Sequence, residues 1–138
     1  MADRMELKQT MAGGANCAQT VLAAFADRFD YSEEELYRFA AAFGGGMHRG
    51  DTCGAVTGAL MALGLEYADD DDLLHEKAAK FRDRFVERFG HTYCRELLGY
   101  DFSIPGEREK CVESGIKAER CPEYVCSAVE MLEELFAE

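Results

Sequence analysis

The sequence contains no Cys-x-x-Cys pair, although six of its 138 residues are cysteine. This absence excludes a thioredoxin-type redox motif and a zinc ribbon, and the missing Cys-x-x-Cys-His excludes covalent attachment of a c-type haem. Cys121 and Cys126 are five residues apart, a spacing that turns them to different faces of one helix. Any site built from the cysteines must therefore be assembled by the fold from distant segments.

A long hydrophobic segment is absent as well. The longest apolar run, Cys53 to Leu65, has about 13 residues and is interrupted by glycines and a threonine, whereas a membrane span needs roughly 20. The N-terminus, MADRMELKQT, carries charges where a signal peptide would place apolar residues. We therefore expect no membrane span, no export signal and a cytoplasmic location.

Positive charge is scarce in this chain. It has 15 Lys and Arg against 27 Asp and Glu, which gives a formal net charge of −12. Binding to nucleic acid or to an anionic membrane needs a basic face, so we expect neither, and a small ligand or another protein is the expected partner. Because a reducing cytosol does not favour structural disulfides, the cysteines point to thiol chemistry, metal ligation or simple burial.

No stretch alternates apolar and polar residues for long enough to predict a strand, and the apolar spacing is helical nearly throughout. We expect an all-α protein, with a single domain over residues 1–138 that forms a bundle of about five to seven helices. The predicted helices cover residues 3–11, 16–29, 32–43, a fourth from 51 or 52 onwards, 71–89, 93–98 and a last one from 122 onwards. The least regular segment, 100–120, contains one further short helix at 108–113, and we expect it to wrap the surface or to cover a site.

The fourth predicted helix is unusually slim. Its small residues are Gly54, Ala55, Gly58, Ala59 and Ala62. Side chains of this size let a helix backbone approach its neighbours closely. We therefore place this helix at the centre of the bundle.

The positions of the cysteines relative to the predicted helices form a pattern. Four of the six fall at predicted helix N-termini, namely Cys17, Cys53, Cys94 and Cys121. The caps predicted for the first three are Asn16, then Asp51 or Thr52, then Thr92, and Pro122 follows the fourth cysteine. A helix N-terminus presents unpaired N–H groups and a partial positive charge, which favours a thiolate and lowers the pKa of a cysteine. The pattern predicts four thiolates or metal ligands.

The segments around these cysteines resemble the C_GCAxxG_C_C family, a group of helical proteins to which a redox role is ascribed. The motif CGAxxG stands here as Cys53 to Gly58, and the four cysteine segments are NCAQTVLAAF, CGAVTGALMALGL, CRELLGYD and RCPEYV. The resemblance covers nearly the whole chain. It implies that the four family cysteines are Cys17, Cys53, Cys94 and Cys121, with Cys111 as the competing choice for the fourth, while Cys126 is an addition to the pattern.

Three kinds of function fit these residues. In the first, two thiolates such as Cys17 and Cys53 cycle through a disulfide, while Cys94 and Cys121 resolve it or relay electrons to an unidentified redox partner or small molecule. In the second, the same four cysteines bind an iron–sulfur cluster or a zinc ion. In the third, glycines and cysteines serve only close helix packing in a structural or interaction module.

The glycines of the motif bear on the second and third of these hypotheses. Gly54 and Gly58 are the candidate cofactor-binding residues, since glycine-rich backbone would donate hydrogen bonds to the cysteine sulfurs. The slim helix that contains them could equally pack against its copy in a homodimer. The sequence leaves open whether the protein is an enzyme. A positive charge from His48 or Arg49 could help to hold a thiolate at Cys53, although an exposed loop pair is the simpler interpretation.

Overall fold

Residues 3–138 are described by a computed structural model, in which they form eight α-helices. The helices are α1 (Arg4–Ala12), α2 (Cys17–Ala23), α3 (Glu33–Ala40), α4 (Gly54–Tyr67), α5 (Asp71–Phe89), α6 (Cys94–Leu98), α7 (Glu107–Ser114) and α8 (Ile116–Ala137). This range contains no strand, so the predicted all-α class is confirmed, with one helix more than expected. Met1 and Ala2, with which the predicted domain begins, lie outside the described residues. No helix within 3–138 has the length and apolar character needed to cross a membrane.

Helix α4 contacts α2, α5 and α8, and its predicted place at the centre of the bundle stays a prediction. Its glycines permit the closest of these approaches. A Cβ atom added at Gly58 would lie 2.8 Å from the carbonyl oxygen of Ala18, and one added at Gly54 would lie 3.1 Å from Cβ of Cys17. Cβ atoms do not approach a backbone atom as closely as this at Gly58, so glycine is required there, whereas a side chain at Gly54 would need its neighbours to shift by a few tenths of an ångström. The close contact sets Cys17 beside the start of α4.

A lysine of α5 caps the C-terminal end of α8. Lys77 is only 5% exposed, and its Nζ donates hydrogen bonds to the carbonyl oxygens of Leu135 at 2.8 Å and Glu138 at 3.4 Å. The last carbonyls of a helix have no partner within the helix, and a cation there is also favoured by the helix dipole. This contact joins the two longest helices of the protein.

Helix α8 begins at Ile116, six residues before the predicted start at Pro122. Gly115, with φ of 82°, ends α7 and lets the chain turn directly into α8. Pro122 lies inside the helix, where it has no N–H to donate to the carbonyl of Ala118. That carbonyl belongs to an exposed residue and is open to water. The prediction that Cys121 lies at a helix N-terminus was therefore wrong, because this cysteine lies in the second turn of α8.

Candidate functional site

A single β-bridge places two of the cysteines side by side. Thr52 and Tyr93 form an isolated antiparallel pair, and the amides of Cys53 and Cys94 each donate across it to a carbonyl at 2.7 Å. Helices α4 and α6 begin directly after the two halves of this bridge. The bridge therefore fixes where both helices start and holds the two cysteines together.

The bridge also changes the predicted caps. Because both segments stay extended through the paired residues, Cys53 occupies the position before α4 that was predicted for Asp51 or Thr52. In the same way Tyr93, not Thr92, precedes α6. The helix starts were thus misplaced by one or two residues, and Cys53 lies at the boundary of its helix.

Cys17 is positioned by the cap that the sequence predicts. The side chain of Asn16 accepts a hydrogen bond from the amide of Gln19 at 2.8 Å, and the Gln19 side chain accepts one from the amide of Asn16 at 2.9 Å. The Asn16 side-chain amide also donates to the carbonyl of Ala41 at 3.1 Å, just past the end of α3. This network fixes Cys17 as the first residue of α2.

The fourth cysteine is held by contacts between α6 and α8. The carbonyl of Leu97 accepts hydrogen bonds from the side chains of Arg120 and Tyr124, each at 3.0 Å. Cys121 lies between these two residues on α8. The two bonds keep Cys94 at the start of α6 close to Cys121.

Together these elements bring the four predicted cysteines to one small cavity of about 20 Å³. The four are 4–7% exposed: Cys17 7%, Cys53 4%, Cys94 5% and Cys121 6%. The rest of the wall consists of Asn16, Gly45, Gly54, Leu97, Leu98, Lys117 and Tyr124. Distant parts of the chain therefore meet in one place, and their thiols are nearly sealed from solvent.

The two remaining cysteines lie outside the cavity wall. Cys111 on α7 is fully buried, and it is near enough to Cys94 and Cys121 for their charges to affect one another. Cys126 lies further along α8, with its Sγ 3.8 Å from the carbonyl oxygen of Arg4. Cys121, which the sequence analysis preferred to Cys111 as the fourth family cysteine, is the one that lines the cavity.

The sequence predicts lowered pKa values for these thiols, but burial raises the pKa of three of them. Loss of solvent raises the pKa of Cys53 to about 12, more than the amides of Ala55 and Val56 lower it. Burial likewise raises the pKa of Cys94 to about 12. The pKa of Cys17 is raised well above its usual value, first by its hydrogen bond to Cys121 and then by burial. The helix N-terminus does favour a thiolate, but desolvation of the charge is the larger effect.

Cys121 behaves differently from these three cysteines. Its pKa is lowered, first by a hydrogen bond with the Cys17 side chain and further by the positive charge of Lys117, although burial acts in the other direction. A proton is therefore removed more easily from Cys121 than from Cys17. Among the cysteines of residues 3–138 whose pKa departs from the usual value, only this one is shifted downward.

Lys117 is the site residue that the sequence analysis missed. It lies one helical turn before Cys121 on α8, is half-buried and forms part of the cavity wall. Its spacing of four residues from Cys121 would have placed the two side chains on one face of a helix, but only once the helix was known to start at Ile116. The loop residues His48 and Arg49, by contrast, are exposed and do not line the cavity.

Comparison with known protein families gives a match that includes every residue of the cavity wall. Residues 15–135 match the family described as "Putative redox-active protein (C_GCAxxG_C_C)". The chain belongs to this family. The matched residues include all four cysteines of the cavity, so the expected C_GCAxxG_C_C membership is confirmed. No curated protein and no solved structure matches the chain.

The C_GCAxxG_C_C motif has a clear packing role in this chain. Gly54 lines the cavity and contacts Cys17, whereas Gly58 lies against Ala18 of α2, away from the cavity wall. The prediction that these glycines bind a cofactor stays a prediction. Metal binding by the four cysteines does too. Over the described range, no three or more His, Cys, Asp or Glu side chains converge as ligands for a metal ion.

A larger groove of about 630 Å³ lies at the far end of α2. Helices α1 and α3 and the end of α8 contribute to it, and its wall contains no cysteine. None of the cysteines that are expected to carry the chemistry of a C_GCAxxG_C_C protein therefore lines this groove.

Proposed function

We propose that this protein carries out thiol–disulfide redox chemistry at the Cys17–Cys121 pair, with Cys121 as the nucleophile and Cys17 as the resolving thiol. The observation that carries the proposal is that Cys17, Cys121 and Lys117 line one small cavity, together with the lowered pKa of Cys121. A thiolate is the attacking species in disulfide chemistry. Family membership supports a redox role at these cysteines.

The reaction follows from this pairing. The Cys121 thiolate attacks a two-electron oxidant, and the sulfur of Cys17 then displaces the group attached to Cys121. One S–S bond forms, and the pair, which starts as one thiolate and one thiol, gives up two electrons and one proton. Because Cys17 and Cys121 line the same small cavity, the resolving sulfur needs little movement to reach the bond.

Cys53 and Cys94 have another role in this scheme. With pKa values of about 12, both are neutral thiols near pH 7, so they do not compete with Cys121 as nucleophiles. They complete the wall of the cavity. This assignment differs from the sequence-based hypothesis, which paired Cys17 with Cys53.

Peptide mapping tests the proposal. Reduced native protein is treated at pH 7 with a small amount of iodomethane, an alkylating agent of two heavy atoms, and a second sample is oxidised before digestion. We expect Cys121 to be alkylated first and a Cys17–Cys121 disulfide to form on oxidation. Cys126→Ser serves as the control, since it changes a cysteine of the same helix that is absent from the cavity wall.

Other outcomes would overturn the proposal. If Cys53 or Cys94 were alkylated first, or if a disulfide joined these two, the chemistry would belong to a pair other than Cys17 and Cys121. Iron or zinc bound in stoichiometric amount after anaerobic purification, and lost on replacement of any of the four cavity cysteines by serine, would establish metal binding instead. If none of the four cavity thiols reacted, only the hypothesis of a structural or interaction module would remain.

The predicted homodimer needs a surface other than the one first expected. The small residues Gly54 and Gly58 face α2 of the same chain, so this side of α4 is already occupied. Dimerisation and the identity of the redox partner stay predictions.

A further inference from the structure

The size and burial of the cavity limit what can reach the Cys121 sulfur. Its volume is about 20 Å³, and a site for one water molecule needs roughly 10–15 Å³. The cavity therefore has room only for a small molecule of a few heavy atoms. None of its four cysteines is more than 7% exposed.

From this geometry, and resting on the proposed function of the Cys17–Cys121 pair, we propose that the oxidant is hydrogen peroxide. The molecule has two oxygen atoms and no charge, so it matches the space and enters without the cost of burying an ion. The class of substrate is a small hydroperoxide and not a protein disulfide or an organic disulfide.

A disulfide substrate is disfavoured by the geometry of attack. In thiol–disulfide exchange the attacking sulfur must reach a sulfur of the substrate through a mixed-disulfide intermediate, so access to the attacking thiol limits the rate. Cys121 is 6% exposed and faces an enclosed space. A disulfide with substituents on both sulfurs could not approach it unless α6 or α8 moved.

The groups around Cys121 suit attack on a peroxide. The thiolate attacks one oxygen, the O–O bond breaks, and the Lys117 ammonium gives a proton to the departing hydroxide, which leaves as water. Cys121 is then a sulfenic acid, and Lys117 regains its proton from solvent. The Cys17 thiol attacks the Cys121 sulfur, and the S–S bond forms with release of a second water.

The net reaction balances. One hydrogen peroxide, the Cys121 thiolate, the Cys17 thiol and one proton taken from solvent through Lys117 yield one disulfide and two waters. The peroxide gains the two electrons that the sulfurs lose. An external dithiol, itself oxidised to a disulfide, returns the pair to its reduced state.

The wall of the cavity indicates where the oxidant enters. Three of its residues, Asn16, Gly45 and Lys117, are only half-buried, whereas the cysteines and the leucines behind them are buried. The solvent side of the cavity therefore lies between the start of α2, the loop that contains Gly45 and the first turn of α8. Hydrogen peroxide that enters there meets Lys117 before it reaches Cys121.

Oxidation rates of the reduced protein test the inference. We compare hydrogen peroxide, cumene hydroperoxide and glutathione disulfide at equal concentration, and follow the Cys17–Cys121 bond by peptide mapping after acid quench. We expect hydrogen peroxide to react at least about tenfold faster than either of the others. In Cys17→Ser, peptide mapping after addition of hydrogen peroxide should show one added oxygen atom on Cys121.

A pair of cavity variants isolates the effect of size. Leu98→Ala enlarges the cavity wall and should raise the rate with cumene hydroperoxide relative to that with hydrogen peroxide by about tenfold. Leu63→Ala removes a fully buried leucine of α4 that does not line the cavity. The Leu63→Ala variant should lose a similar free energy of unfolding and leave the ratio of the two oxidation rates unchanged.

The two proposals fail in different ways. If glutathione disulfide or cumene hydroperoxide forms the Cys17–Cys121 bond as fast as hydrogen peroxide does, the choice of substrate is wrong and the redox pair stands. If no oxidant forms that bond, the redox pair itself is wrong. An unchanged rate ratio in Leu98→Ala would also refute control by cavity size.

Discussion

Lys117 and Cys121 lie one turn apart on α8 and line the same cavity, and the positive charge of the lysine lowers the pKa of the cysteine. The cation lies beside the one thiol of the cavity whose pKa is shifted downward. Nucleophile and charge partner thus come from a single helix, while Cys17 of α2 supplies the hydrogen bond.

Replacement of Lys117 by methionine should slow alkylation of Cys121 at pH 7. Without the ammonium the thiolate is less stable, so the pKa of Cys121 rises and less thiolate is present at a given pH. The measurement is the rate of alkylation of Cys121 by iodomethane between pH 6 and pH 10, and the curve of this rate against pH should move to higher pH. Lys117→Arg keeps the charge and should stay close to the unchanged protein. Identical curves for the methionine and arginine variants would show that the charge of Lys117 does not affect the Cys121 thiol.

Alkaline pH should destabilise the reduced protein. Cys53 and Cys94 have pKa values of about 12 in the fold against 9.0 when solvated, so above pH 9 the unfolded chain loses protons that the folded chain keeps. The resulting stability is fully present below pH 9 and is lost as the pH rises towards 12. Each thiol costs about 1 kcal/mol per pH unit in that window.

Urea unfolding at pH 8 and pH 10, with a reductant present, measures this effect. The comparison protein is the double variant Cys53→Ala/Cys94→Ala, which has no thiol to titrate at these positions. Its free energy of unfolding should fall less between the two pH values than that of the unchanged protein. Equal losses would show that burial does not hold these thiols in the neutral form.

Gly58→Ala should destabilise the protein by about 1–3 kcal/mol, the usual cost of overpacking. The new Cβ would lie 2.8 Å from a backbone oxygen of Ala18, so α2 would have to move away from α4. Gly64→Ala is the matched control on the same helix, since a Cβ there meets no atom within 4 Å. It should stabilise the helix by about 0.5–1 kcal/mol. Thermal unfolding of both variants checks the contrast, and a neutral Gly58→Ala would refute the close packing.

Lys77→Met should cost about 1–3 kcal/mol of stability, because the carbonyl of Leu135 at the buried end of α8 loses its hydrogen bond. Lys80→Met on the same helix changes a lysine whose partner is the exposed Glu76, and its effect should stay within about 0.5 kcal/mol. Urea unfolding near pH 7 measures both. A loss shared equally by the two variants would mean that charge, not the buried contact, is responsible.

Much of the fold was predictable because its cues are local. The bounds of α5 agree with the prediction, since the Asp70 side chain accepts a hydrogen bond from the amide of Leu73 and Gly90 ends the helix in the left-handed conformation. The close packing of α4 against α2 followed from its small residues. The set of four cysteines also followed from the chain, through the family motif, although the predicted helix start at Cys121 was wrong.

The rest of the site depends on contacts that local patterns do not contain. The start of α8 was misplaced because Pro122 is typical of a first helical turn, whereas Gly115 sets the true boundary. The pKa directions were wrong for Cys17, Cys53 and Cys94, because burial is a property of the assembled bundle. Lys117 was missed for the same reason as the start of α8.

The bridge between Thr52 and Tyr93 has a consequence for how the protein folds. Roughly 40 residues separate its two halves, and all of α5 lies between them. Closing a loop of that length costs conformational entropy before any contact compensates for it, and contacts so distant in sequence slow folding. We expect Cys53 and Cys94 to come together only after α5 has packed onto α4. A newly made chain would thus acquire its closed thiol cavity as one of its last folding events.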